Sequence, residues 1–408
     1  MRICFLCYRA NPYSGGQGVY LKEITEELAR RGHEVHAVVG PPLPEELEDV
    51  TLHVVENRQY YGKKGREALP DPDPFRILEP LDFYEYLSTR QGSFTEISTF
   101  ALRSFLLVRR LHRERPFDVI IDNQSLGYGL LLYKALGIPL VAVIHHPLTI
   151  DLASVMARTP LFSKKVKTAM FYPLVMQGFV ARRMDRIITV SRASRKAIIR
   201  DFHVRPERID VVYNGINTGH YAPDHSDRNR GEVLFVGNIE DGNKGFVHLM
   251  RAMRLVRKGT RLVVVDGGSV HRKITDRFIR LYGLDDRITF VGRTNRDELV
   301  NYYRGAELLV SPSRFEGFGF PAGEAMACGT PVIVSDGGAL PEVAGDAGIV
   351  VPYGDEIALA RAIDRVMGDP ALRRRMGRAG RERVLENFSW SGAAVRIENI
   401  ITGTGSSR

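Results

Sequence analysis

Long hydrophobic runs are missing from this sequence. No stretch approaches the roughly 18 uninterrupted apolar residues of a bilayer-spanning helix, so none is expected. The opening residues MRICFLCY turn polar too soon for a secretory leader and read as a first buried strand. Cysteine is scarce: Cys4, Cys7 and Cys328 are the full complement. Cys4 and Cys7 have C-x-x-C spacing, but residues three apart on a strand point to opposite faces. No second cysteine pair or nearby histidine pair completes a zinc site. Buried thiols in a reducing cytoplasm are expected, and no metal site.

What is present is an ordinary globular composition, 44% hydrophobic and 26% charged, which argues against extended disorder. The 408 residues exceed one ordinary core, so two domains are expected. The net charge of +9 suits an anionic partner: a phosphorylated ligand, a membrane surface or nucleic acid.

Short apolar runs alternate with helical patterns. ICFLC precedes VYLKEITEELARRG and then VHAVV, followed later by DVII, PLVAVI and RIITV. The second half runs EVLFVG, HLMRAMRLVRKG, RLVVVDGG, RITFVG, AELLVSPS and PVIVSD. This spacing predicts parallel sheets with helices on both faces: an α/β chain of two doubly wound, Rossmann-like domains facing a cleft. The pattern restarts near Asp210–Asn217, which places domains at 1–215 and 216–387. Residues 56–95 form a long insertion with a Pro-rich charged part and an aromatic part, LDFYEYL. Residues 158–200 mix basic and apolar character around Lys164, Lys165, Lys167, Arg182, Arg183 and Arg186, a pattern suited to an anionic membrane.

Two segments carry chemistry. Ser14-Gly15-Gly16-Gln17-Gly18 lies between the first strand and its helix, where Gly15 and Gly16 allow close approach of a phosphate to unpaired helix N–H groups. It is not G-x-G-x-x-G, and no acid clearly ends the second strand, so a nicotinamide oxidoreductase has little support. In SRFEGFGFPAGEAMACG, Pro321 suits the first turn of a helix that stops at Gly329. Glu324 lies in that first turn and Glu316 on the loop before it. The amides of Phe318, Gly319 and Phe320, with the helix dipole, offer an anion site. Glu324 has two oxygens for a vicinal diol such as ribose, and Glu316 can reach sugar hydroxyls or stabilise positive charge at a reacting carbon.

At these residues the chain resembles the retaining nucleotide-sugar glycosyltransferases of family 4, which have the GT-B fold. EGFGFPAGE matches their E-x7-E element, and ITFVGR, ELLVSPS, EAMACGTPVIVSD and LENFSW match its surroundings. The resemblance implies transfer of a hexosyl group from a UDP- or GDP-sugar to an acceptor hydroxyl, with retention and without a metal or other cofactor. It also implies that residues 388–408 return to the first domain. The acceptor expected is a lipid-linked or cell-envelope glycan precursor, and the location cytoplasmic, peripheral on the inner face of the membrane. Nucleic acid is not an expected partner. Family members hold the diphosphate with an Arg and a Lys six residues later. Here Lys244 keeps its place, but Asn238 stands where the arginine is expected, and Arg293 or Arg314 is the candidate to compensate. Val291, Gly292 and Arg293 fall where backbone groups meet the base, and Asp266 and Gly267 end a neighbouring strand. His145 matches a histidine near the donor sugar, and His146 and Asp151 are assigned to the acceptor. Asp71-Pro72-Asp73 resembles a metal-binding D-x-D but follows no apolar strand, so it is set aside. The alternative to transfer is a protein of the same fold that binds a nucleotide sugar without turning it over.

Overall fold

A strand inside a parallel sheet is covered on both faces, so it must be apolar at nearly every position. The runs ICFLC, LVAVI, VLF, LLVS and VIVS meet that requirement, and each lies in a strand. The fold is taken from a computed structural model, which describes residues 1–11, 16–56, 74–90, 95–159, 172–224, 231–267 and 273–405. The chain divides into two compact units. The first contains Met1–Val190, Ser194–Val212 and the segment from Ala393 onward; the second contains Ser191–Ala193 and Tyr213–Gly392.

The first unit is built on seven parallel strands: β1 (Arg2–Cys7), β2 (Glu34–Val39), β3 (Val50–Val54), β4 (Val119–Asn123), β5 (Leu140–Ile144), β6 (Arg186–Thr189) and β7 (Ile209–Val211). Their spatial order is β3-β2-β1-β4-β5-β6-β7. Winding therefore proceeds outward from β1 on one side, then resumes at β4 on its other side. One core packs Cys4, Leu6, Phe100, Tyr133 and Ile144 beneath the flanking helices. The helix Gly16–Arg30 follows β1 and buries Tyr20, Leu21, Ile24 and Leu28 at helical spacing.

The second unit repeats the plan with six parallel strands: β8 (Glu232–Val236), β9 (Arg261–Val265), β10 (Ile288–Gly292), β11 (Leu308–Ser311), β12 (Val332–Ser335) and β13 (Ile349–Val351). Their order, β10-β9-β8-β11-β12-β13, reverses beside β8. Both units are thus doubly wound parallel α/β sheets, as the alternating pattern predicts.

The change of unit at Val212 lies in the VVYNGIN turn. A Cβ on Gly215 would come within 2.3 Å of the Trp390 backbone nitrogen, so that turn and the start of the C-terminal helix are in direct backbone contact. Further along the same helix, Glu398 accepts from Arg31 Nε at 2.8 Å and belongs to the first unit. All three cysteines are free and buried. Burial pushes the Cys7 thiol up to about 12, so it stays protonated and inert. Among the described residues no helix is long and apolar enough to cross a membrane.

Candidate active site

In a doubly wound sheet the loops leaving two neighbouring strands part company where the order reverses, and ligands bind in the crevice they leave. In the second unit that point lies between the carboxyl ends of β8 and β11. The loop after β8 carries Asn238 to Lys244, and the loop after β11 carries Ser313 to Gly319. An ion pair joins them: Lys244 Nζ donates to Glu316 Oε1 at 2.8 Å, and the Ser313 hydroxyl donates to the same oxygen at 2.8 Å. The pair is shielded rather than buried, with 25% of the lysine side chain and 13% of the glutamate exposed.

The backbone around the pair admits no side chains. Gly245, directly after Lys244, has φ +67°, and a Cβ there would sit 2.0 Å from the Pro312 carbonyl oxygen. A Cβ on Gly337 would meet the Ser313 oxygen at 2.1 Å. One on Gly338, at φ +65°, would meet the Glu316 oxygen at 2.3 Å. Glu316 and Gly338 form a short parallel bridge, and the Ala339 N–H donates to the Glu316 carbonyl at 2.9 Å. The Glu316 loop is thus clamped from below by the glycine pair that follows β12.

Gly319, at φ +103°, turns that loop into the helix Phe320–Ala327, with Pro321 in its first turn. The helix ends at Ala327 and Gly329, at φ +72°, terminates it as expected, but Glu324 is the fifth residue of the helix and so lies beyond the first turn in which the sequence placed it. Glu324 is 9% exposed and accepts from the buried Tyr303 hydroxyl at 2.7 Å. Burial and this nearby carboxylate raise the Tyr303 phenol, which remains a donor. One Glu324 oxygen is therefore already engaged, and a diol meeting this carboxylate would share it with Tyr303. Phe318 is buried against Phe388, with ring centroids 5.5 Å apart, so its side chain serves packing and only its backbone is available to a ligand.

Asn238 accepts from the Glu240 N–H at 2.8 Å and so shapes its own turn. Arg293 and Arg314 are exposed, and the Arg314 N–H donates to the Asn243 carbonyl at 2.7 Å. Val291 and Gly292 end β10, the sheet's edge strand; the Gly292 carbonyl accepts from the buried Asp266 N–H at 3.3 Å.

The first unit has its own reversal point, between β1 and β4. Gly16 opens the helix after β1; Gly15 and Asp71-Pro72-Asp73 lie outside the described residues, as do Lys164, Lys165 and Lys167. Gly18, in the first turn of that helix, is sterically demanding, since a Cβ there would stand 2.4 Å from the Asn11 carbonyl carbon. The loop after β4 holds Gln124 at φ +63° and Leu126 at φ +51°, uncommon for residues with side chains. Asp122 keeps it in shape: its carboxylate accepts from the Ser125 hydroxyl and, at 2.9 Å, from the Leu126 N–H. Burial nevertheless pushes this carboxyl up to about 6.

His145 follows β5 and is 8% exposed. Its N–H donates to Gln124 Oε1 at 2.6 Å, and its carbonyl accepts from the Ser194 hydroxyl at 2.6 Å. That carbonyl keeps a second lone pair, so it and the imidazole are both candidates to meet a ligand. Burial, with His146 beside it, pulls the ring down to about 3, so it is neutral at ordinary pH. His146 pairs with Asp151 at 3.1 Å, both about a third exposed. Sequence reasoning missed Asp122, Asn123, Gln124 and Ser125, although a polar DNQS run directly after an apolar strand was a usable signal.

Two doubly wound units, one with a Lys–Glu pair at its reversal point, are the arrangement of a GT-B glycosyltransferase. Residues 14–220 match the family model Glycosyltransferase Family 4, and residues 223–383 match Glycosyl transferases group 1. The chain belongs to glycosyltransferase family 4. It is 36% identical to the MMP alpha-(1->4)-mannosyltransferase of Mycolicibacterium hassiacum over 97% of this chain and 96% of that protein. In structure it is similar to sucrose-phosphate synthase from Thermosynechococcus elongatus, with a TM-score of 0.76 at 23% identity and full coverage of both chains. It is also similar to HepE of Anabaena in complex with UDP and glucose, with a TM-score of 0.71 at 20% identity over 98% of this chain and 99% of that one.

The raised Asp122 carboxyl has a thermodynamic consequence. The folded protein binds a proton there at higher pH than the unfolded chain, so this group favours folding more as pH falls from about 6 toward 4. Two pKa units correspond to about 3 kcal/mol at most. Denaturant unfolding of wild type and Asp122→Asn should show the wild-type advantage growing between pH 7 and about 4. An advantage that is flat or shrinks toward acid would contradict the assignment.

Proposed function

We propose that this glycosyltransferase moves a hexosyl group from a nucleoside-diphosphate sugar, UDP- or GDP-linked, to an acceptor hydroxyl with retention of configuration. The observation that carries the reading is the Lys244–Glu316 pair at the reversal point of the second sheet. Lys244 is a compact cation that suits a diphosphate, and Glu316 suits the hydroxyls or the developing positive charge of the sugar. Glu324, backed by Tyr303, takes the ribose, and the backbone around Phe318–Phe320 faces the phosphates. Val291, Gly292 and Arg293 take the base. HepE, solved with UDP and glucose, lends support by analogy of fold.

In this reading the bond between the anomeric carbon and the diphosphate oxygen breaks while the acceptor oxygen bonds to that carbon from the same face. The acceptor proton passes to the departing diphosphate. His145 is poorly suited to take it, because an imidazole held near 3 keeps a proton weakly. Lys244 supplies the positive charge the leaving group needs, so the proposed reaction requires no metal. The protein's contribution is positioning and charge stabilisation. His146 and Asp151 are assigned to the acceptor.

A membrane-associated acceptor has a specific observation in its favour. The helix Pro80–Arg90 is inverted: Asp82 and Glu85 face inward, paired with Arg103, while Phe83, Tyr84 and Leu87 are exposed. Phe75 and Leu78 just before it are more than two-thirds exposed. The neighbouring helix, Glu96–Glu114, adds Arg109, Arg110 and Arg113 on one exposed face. Exposed apolar side chains and exposed arginines each suit an anionic lipid surface. By contrast, Arg182 and Arg186 of the basic stretch are engaged locally, with the Phe202 carbonyl and with Asp210.

Two experiments test these readings. Lys244→Ala should raise the KM for the nucleotide sugar about 10- to 100-fold, the loss of one charged contact. Glu316→Gln should lower kcat about 100-fold or more. Wild-type turnover in Glu316→Gln would sink the assignment of that carboxylate. For the surface, the protein should sediment with vesicles rich in phosphatidylglycerol and not with pure phosphatidylcholine, and Phe83→Ser with Leu87→Ser should abolish it. Binding indifferent to lipid charge would exclude the anionic-membrane reading.

A further inference from the structure

Asn123 ends β4 beside the reversal point of the first sheet and is fully buried. Its two amide ends are not interchangeable. The Gln17 carbonyl, 3.0 Å away, can only accept, so the Asn123 nitrogen must face it; the same nitrogen lies 3.4 Å from Cys7 Sγ. The oxygen therefore points the other way, to His145 Nε2 at 2.8 Å. An amide oxygen has no proton to give, so Nε2 must carry the hydrogen. In a neutral imidazole the second nitrogen, Nδ1, is then an unprotonated acceptor.

The ring has little freedom to escape this arrangement. Tyr20 packs edge-on against it, with centroids 5.1 Å apart, and Gln124 holds the backbone of His145. Ser194 holds the carbonyl. The hydrogen bonds of His145 lie on its backbone and on Nε2, and among the described residues none reaches Nδ1. Gln17 lies in the first turn of the helix Gly16–Arg30, so one amide ties that helix start to the imidazole.

We propose that Asn123 is a positioning residue that fixes His145 in the Nε2–H tautomer, so that Nδ1 accepts a hydrogen bond from a sugar hydroxyl. The assignment deepens the transfer reading and rests on it for the identity of the ligand, but the tautomer itself does not. It follows that the site selects for a hydroxyl at that position of the sugar and against a group that can only accept. Among the described residues the titratable groups around the ring are His146 next in the chain, Tyr20 on its edge, and Cys7 and Asp122 beyond Asn123. None places a carboxylate on Nε2.

The test reads the ring directly. In full-length protein with nitrogen-15 histidine, the His145 signal, assigned by its loss in His145→Gln, should show Nε2 protonated and Nδ1 unprotonated across neutral pH. The opposite tautomer, or a mixture of the two, would overturn the proposal. Asn123→Asp puts a carboxylate against Nε2–H and should move the ring's titration upward, into the range the signal can follow. Below that new pKa, Nδ1 gains a proton and ceases to accept, so kcat/KM should acquire an acid limb that wild type lacks. An unmoved titration in a folded Asn123→Asp would contradict the contact. Asn123→Ala should cost about 10- to 100-fold in kcat/KM, the range expected for a misplaced group. The spectroscopic outcome stands even if no nucleotide sugar proves to be a donor, so failure of the tautomer and failure of the transfer reading are separable.

Discussion

Both sheets are wound outward from an interior strand, and the direction of winding reverses once in each. That constraint governs where chemistry is possible. Right-handed crossovers place helices over the faces of a parallel sheet, which leaves its carboxyl ends as the place where loops can diverge. β8 and β11 diverge around Lys244 and Glu316, and β1 and β4 around the glycine turn and Asn123. The two units repeat one topology, but they equip it differently. The second unit presents an ion pair. The first presents a neutral histidine whose proton is placed by an amide.

The charges are arranged to suit this division. A lysine and a glutamate that share one hydrogen bond can each be redirected by a ligand of the appropriate sign. The partial exposure of both keeps the desolvation cost modest. His145 instead lies in surroundings that disfavour its charged form, so the role proposed for it is geometry and a lone pair rather than acid–base catalysis. Glycines at 245, 337 and 338 let backbone strands approach where a side chain would clash, and they hold the loops that carry the ion pair.

Much of this was legible in the residues because the responsible signals are local. Buried parallel strands write themselves as apolar runs, and Glu316 and Glu324 are bracketed by glycines and a helix start. β3 was not legible, since it is an edge strand in which three of the five residues are exposed and the other two half-buried. The clamp of Gly337 and Gly338 was hidden because its reason is a contact with residues distant in sequence. Asn123 and Gln124 were missed for the same cause: hydrogen-bond partners across strands are set by sheet order, which a single sequence does not print. Glu324 was legible as a ligand candidate, but its engagement with Tyr303 was not.

The central claim is that the reversal point of the second sheet holds a nucleoside diphosphate. A crystal structure of the protein with UDP or GDP tests it most directly. A phosphate within hydrogen-bonding reach of Lys244 Nζ, with the ribose at Glu324, is the predicted result. A nucleotide bound away from the loops after β8 and β11 would contradict it.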